Sequence, residues 1–171
     1  GVTCFDRGWL ADMGMPARFL HAIADGRPFL INKYDWQRWR LSIAEMAAHG
    51  GSGLAVHWAQ HGDDDRAGVE DRYRTRVYPY QRFLAEHEEL FVGARPYSEL
   101  ALVYPRRGEV AGEPDCTDAL RRIGRALENE HILFDLILDE QLADRGSAYD
   151  ALVLADVRRL SPAEVAFLRL W

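Results

Sequence analysis

Short apolar runs alternate along the chain with stretches whose apolar residues recur at helical spacing. Val2–Phe5 reads as a strand. Pro16–Ala24 reads as a helix, with Phe19, Leu20 and Ile23 on one face and Gly26 as its stop. Pro28–Asn32 is a second predicted strand. Ser42–His49 is a second helix, with Ile43, Met46 and Ala47 on its inward stripe and Gly50-Gly51 closing it. Leu54–Trp58 is a third strand. Arg72–Phe91 reads as one long helix with Val77, Tyr80, Leu84 and Phe91 facing in, kinked or restarted at Pro79. Short apolar strands joined by helices predict an α/β fold with a parallel sheet.

The alternation resumes after Gly93-Ala-Arg-Pro-Tyr97, a Gly/Pro-punctuated junction. Leu100–Tyr104 is a strand, and Thr117–Asn129 is a helix with Leu120, Ile123, Gly124 and Leu127 turned inward and Asp115 or Thr117 as its cap. Ile132–Leu138 and Ala151–Val157 are further strands. Ser161, Pro162 and Glu164 have the spacing of a capping box that opens a last helix. This second part reads as the first half of an open, doubly wound sheet of flavodoxin-like type. Two domains are expected, residues 1–95 and 98–171.

Composition sharpens that division. Residues 1–97 hold 14 of the 19 aromatics and five of the six histidines, with a charge of −1, whereas residues 98–171 carry −5. The whole chain, 171 residues with a net charge of −6, has an acidic balance without long-range attraction for phosphate backbones, so no nucleic-acid partner is expected. No apolar run approaches a membrane span and no signal-peptide pattern is present, so no membrane partner is expected and the compartment expected is the cytoplasm. Cys4 and Cys116 are too far apart in sequence for a disulfide framework or a CxxC metal site. A complete (β/α)8 barrel takes about 250 residues, more than this chain has. The chain opens without a methionine and stops at Phe167–Trp171 inside a helical pattern, so a piece of a longer protein is expected.

Two sets of segments resemble one family. The first is Gly26-Arg-Pro-Phe-Leu-Ile-Asn-Lys-Tyr-Asp-Trp36, Glu45-Met-Ala-Ala-His-Gly-Gly51 and Leu54-Ala-Val-His-Trp58. The second is Glu99-Leu-Ala-Leu-Val-Tyr-Pro105, the Leu120–Leu127 helix, Phe134-Asp-Leu-Ile-Leu-Asp139, and Tyr149-Asp-Ala-Leu-Val-Leu-Ala-Asp-Val157 with Leu160-Ser161. In this order they resemble bacterial glycoside hydrolases of the β-galactosidase type, in which a catalytic (β/α)8 barrel precedes a trimerisation domain of glutamine-amidotransferase-like fold. The resemblance implies that residues 1–95 are the last three βα units of a TIM-type barrel. It implies a non-catalytic second domain that serves oligomer contacts, hence a homo-oligomer in the full-length protein, and a carbohydrate as partner, with no cofactor.

Barrel sites lie at the C-terminal ends of strands. The strand ends are Asp6, then Asn32, Lys33, Tyr34, Asp35 and Trp36, then His57, Trp58 and His61. Aromatic faces suit the apolar face of a pyranose, and amide, imidazole and carboxylate groups suit its hydroxyls. Asn32, Lys33, Tyr34, Trp36, His57, Trp58 and His61 are therefore the candidate sugar-binding residues. Glycosidases use two carboxyl groups. In the family one is a Glu after the fourth strand and the other a Glu at the end of the seventh. Asn32-Lys33 stands at the latter place here, which leaves Asp35 and Asp6 as candidate carboxylates.

Plainer roles stand beside these. Trp39 reads as a helix-packing residue, and Trp58 suits either sugar stacking or barrel-mouth packing. His57 and His61 with Asp63-Asp64-Asp65 could suggest a metal, but their loop placement favours a solvated acidic loop, and no metal site is expected. The Arg72–Arg76 cluster reads as an exposed helix face. Cys116 reads as a loop residue, and Arg106–Gly112 lacks the spacing of a phosphate-binding glycine loop. Two alternative functions remain: a non-catalytic carbohydrate-binding or assembly module, and a single flavodoxin-like domain for a small ligand. The last predicts one continuous sheet.

Overall fold

In the computed structural model, which describes residues 13–33, 38–55, 66–94 and 97–171, the chain divides into two units, Gly1–Arg95 and Pro96–Trp171. The fold is mixed α/β, and the described strands form two separate parallel sheets rather than one continuous sheet.

The first unit runs α1 (Gly14–Ala24), β1 (Leu30–Lys33), α2 (Trp39–Ala48), β2 (Ser52–Ala55), α3 (Arg66–Arg76) and α4 (Tyr78–Glu86), followed by a 3₁₀ turn at Glu88–Leu90. The strands β1 and β2 pair in parallel, Leu30 beside Ser52 and Lys33 beside Ala55. One core joins Met13, Ala17 and Met46 to Phe29 and Ile31, and a second joins Trp39, Ile43 and Val77 to Tyr73, Tyr80 and Leu84. Trp39 is fully buried. Ile31 and Gly53 are register neighbours on one face of the ribbon. At Gly53 a Cβ would sit 2.7 Å from the Ile43 Cα, so α2 lies directly on β2. Leu30, Asn32 and Ser52 lie on the opposite face and are all exposed, Leu30 by 57%. Among the described residues the ribbon therefore carries its helical core on one face only.

Two expectations change here, the buried face of α1 and the start of α3. The buried side of α1 is the Met13–Ala17–Ala22 side, and Ile23 is exposed. Small residues there let α1 approach Met46 closely, which outweighs the larger side chains opposite. The helix predicted over Arg72–Phe91 restarts at Pro79, one of the two outcomes its sequence offered, because Pro79 has no N–H and its ring collides with the preceding turn. It sits instead in the first turn of α4, where a proline fits, and α3 begins earlier, at Arg66. The predicted strand Val2–Phe5 and the end of Leu54–Trp58 lie outside the described residues.

The second unit runs β3 (Leu100–Tyr104), α5 (Arg106–Val110), α6 (Asp118–Asn129), β4 (Asp135–Leu138), α7 (Leu142–Arg145), β5 (Ala151–Leu154) and α8 (Pro162–Leu170). The sheet order is β4-β3-β5, all parallel. The chain crosses from β3 to β4 and then back past β3 to β5. Right-handed crossovers in opposite directions place α6 and α7 on opposite faces. Burial agrees. Ala101, Val103 and Ile137 pack with Leu142, Phe167 and Leu168 on one face, while Leu102, Leu136 and Leu138 are buried on the other, which α6 covers through Leu120 and Gly124.

Ser161 caps α8 as its spacing predicts. Its N–H donates to Glu164 Oε2 at 2.5 Å, and its hydroxyl accepts from Glu164 N at 3.4 Å. Thr117 holds the cap position of α6 but its side chain makes no cap bond, and Asp115 lies in the turn before it with φ 58°. The predicted strand Ile132–Leu138 starts only at Asp135. His131 is left-handed, and the Ile132 N–H closes back onto Leu127 O at 2.9 Å, a helix C-cap that occupies the residues before the strand. Likewise β5 stops at Leu154, before the left-handed turn at Asp156.

Candidate functional site

Asn32 is the third residue of β1, exposed on the face opposite Ile31 and Gly53 and paired with Leu54. Lys33 ends β1 beside Ala55, the last residue of β2. Both strands therefore end at the same side of the ribbon. The segments that follow, with Tyr34, Asp35 and Trp36 after one strand and His57, Trp58 and His61 after the other, start from neighbouring points. Those six residues and Asp6 lie outside the described residues.

A groove of about 580 Å³ lies elsewhere in this unit. It is lined by Leu30, Ser52 and Gly53 at the N-terminal ends of the strands and by Tyr73, Tyr78 and Gln81 from α3 and α4. Tyr73 and Tyr78 stack at 6.1 Å, and Gln81 Nε2 donates to Gly53 O at 3.1 Å. The backbone of β2 is thus met by a side-chain donor in place of a further strand. No sequence motif pointed to this groove; helical spacing on α3 and α4 reports which residues turn inward but not the gap they leave.

The C-terminal edge of the second sheet is the most heavily bonded polar region described. Asp139, which directly follows β4, is 1% exposed. It accepts backbone N–H bonds from Arg107 at 3.1 Å and Glu140 at 2.8 Å. Burial pushes its carboxyl up, and the two N–H bonds offset part of that. Arg107 also reaches Glu164, which is 3% exposed, and Arg106 pairs with Glu140. Burial would raise Glu164, but the Arg107 bond and the Ser161 bonds prevail and hold it below the usual range. Tyr104 Oη donates to Glu109 at 2.8 Å, and burial with that carboxylate raises its phenol. Cys116 is buried, and burial followed by Glu109 and Glu113 pushes its thiol up, the opposite of what an activated nucleophile needs.

The sequence marked none of Arg107, Asp139 and Glu164 as a group, since they come from three connections far apart in the chain. Their shared signal is position, each close to a strand's C-terminal end or a helix start. The cations at this edge are matched by carboxylates, so the arrangement ties three connections together and leaves little charge for an anionic ligand. Among the described residues no three His, Cys, Asp or Glu side chains form a cluster able to hold a metal, and no helix is long and apolar enough to cross a membrane. No family model, no curated protein and no solved structure matches this chain.

Proposed function

We propose that the chain belongs to a carbohydrate-active protein of glycoside-hydrolase type, with βα units of a (β/α)8 barrel in the first unit and a non-catalytic doubly wound domain in the second. The observation that carries this reading is the contrast between the sheets. A parallel sheet is normally covered on both faces. The second unit meets that rule with helices on both sides. The first has its helical core on one face, while Leu30, Asn32 and Ser52 stay exposed on the other, which α3 and α4 reach among the described residues at the groove beside the N-terminal ends of the strands. Helices outside and side chains inside is the layer order of a barrel, whose interior is filled by its own strands. The strand ends Asn32-Lys33 and Ala55 then face the end where barrels bind substrate.

On this reading Asn32, Lys33, Tyr34, Trp36, His57, Trp58 and His61 contact the sugar, and Asp35 and Asp6 are the carboxylates in reach. A specific observation favours a second reading, a binding or assembly module without hydrolysis: Asn32-Lys33 stands where the resembled enzymes carry a Glu. Titration of the chain with galactose, lactose and cellobiose, followed by tryptophan fluorescence, tests what the two readings share. Saturable binding is expected, weakened about fivefold in Asn32→Ala by loss of one hydrogen bond. A flat response to all three sugars overturns both readings. Release of nitrophenol from aryl glycosides would overturn the reading without hydrolysis; the chain, which carries only Asp6 and Asp35 as candidate carboxylates, is expected to release none under either reading.

A further inference from the structure

In the second unit β3 and β5 are neighbours, and the helices that follow them, α6 and α8, lie on opposite faces of the sheet, so the C-terminal ends of these strands have the arrangement of a topological switch point, where open parallel sheets take ligands. The connection from α5 to α6 meets the connection from β5 to α8 at this edge. Glu113 joins them. Its N–H donates to Gly108 O at 3.0 Å, and one carboxylate oxygen accepts from Arg159 Nε. Its other oxygen, Oε2, is fully buried and has no hydrogen-bond partner among the described residues. Gly108 makes room for it, since a Cβ there would sit 2.9 Å from Oε2 and 3.6 Å from the Cys116 Cβ and Sγ. The carboxylate and the thiol therefore converge on one spot, with Cys116 beneath at 3% exposure.

Short-range backbone bonds tie the start of the segment that carries Glu113 to α5, from Ala111, Gly112 and Glu113 N–H to Arg107, Glu109 and Gly108 O, and Arg159 is its side-chain link to the connection after β5. Ala111, Gly112, Pro114 and Asp115 are exposed, and Gly112 and Asp115 are both left-handed, at φ 73° and 58°. An exposed connection with few buried apolar contacts belongs to the low-stability end of a fold. Burying a carboxylate oxygen without a donor works against closure, and the Arg159 bond opposes it by holding the Glu113 carboxylate against the connection after β5. We propose that residues 111–115 form a strap, latched over the β3/β5 crevice by the Glu113–Arg159 ion pair, whose release uncovers Cys116 and opens the crevice to solvent.

The inference is independent of the proposed carbohydrate function. Its test uses the full chain with Cys4→Ser, so that Cys116 is the only thiol, and follows the rate of its reaction with an aromatic disulfide reagent. Arg159→Ala removes the latch, and Gly108→Ala pushes the Glu113 carboxylate out by a different route. Both are expected to speed labelling about fivefold, as for loss of one partly exposed ion pair, with an unchanged urea unfolding midpoint. Molar salt should speed the parent chain similarly and leave Arg159→Ala unaffected. Equal labelling rates in all three chains overturn the proposal. So does a rise in rate that follows a matching fall in the unfolding midpoint, which would mean that Cys116 reacts only on global unfolding.

Discussion

Glu164 joins a local role to a long-range one. As the third residue of α8 it closes the capping box with Ser161, and from the same carboxylate it accepts the guanidinium of Arg107, 57 residues earlier. At 3% exposure its charge depends on that partner. Removing one member of a buried pair strands the other, while replacing both with apolar groups does not. Glu164→Gln, which keeps an acceptor for the cap but loses the charge, is expected to cost about 2 kcal/mol because Arg107 is itself partly exposed. Glu164→Met should cost more, by about the 1 kcal/mol of a lost cap. The double variant Arg107→Met, Glu164→Met should cost less than the sum of its parts. Urea unfolding of the parent, Glu164→Gln, the single variants Arg107→Met and Glu164→Met and the double variant measures this, and strict additivity would show that the pair is no coupled unit.

At the scale of elements, close approach of backbones sets the packing of the first unit. The Gly53 position lies against the Ile43 Cα, a backbone atom that cannot rotate away. Gly53→Ala should therefore lift α2 from β2 and cost about 1 to 3 kcal/mol. Gly26 has open space around it but φ 78°, so Gly26→Ala should cost about 1 kcal/mol through conformation alone and leave the core intact. Near-ultraviolet dichroism of Trp39 and Tyr73, whose rings lie 4.8 Å apart and tilted by 33°, distinguishes the two: it should change with Gly53→Ala and not with Gly26→Ala. The same close approach explains what could be read in advance. The β3 strand and the Ser161 cap follow from local chemistry, an apolar run in one case and side-chain oxygens at fixed offsets in the other, and both stand where the sequence places them. The buried face of α1 does not follow from side-chain size, because Gly14 and Ala17 are buried by being small. The Arg107–Asp139–Glu164 group was equally illegible, since nothing local links a residue after β3 to one after β4 and one in α8. For the sugar-binding set the pattern showed which residues follow strands, and register adds that β1 and β2 end side by side.

Across the whole molecule, acid acts on the two units through different groups. In the first unit His49 is pushed down to about 4 by burial and then by Arg18 and His21, so it stays neutral in the folded state. An unfolded His49 takes up a proton near 6.5. Between these values the unfolded state binds more protons, so stability falls as pH drops from about 6.5 to about 4 and changes no further below that. In the second unit Glu164 is held below its ordinary 4.5, so its contribution is complete above that value and is lost as pH falls through its lowered folded value. Asp139 has the opposite sign. Its raised carboxyl favours the protonated folded form, so acid relieves a cost there and offsets part of the Glu164 loss. The first unit should thus weaken already between pH 6.5 and 5 through His49, and the second through Glu164 only below about 4.5. Amide hydrogen exchange at pH 6.8, 5.5 and 4.2, corrected for intrinsic rates, resolves the two. Protection in α2 and β2 should fall at the first step and protection in β3 and β4 only at the second. His49→Gln should abolish the first loss and leave the second. An unchanged first loss in His49→Gln would show that some other group drives it.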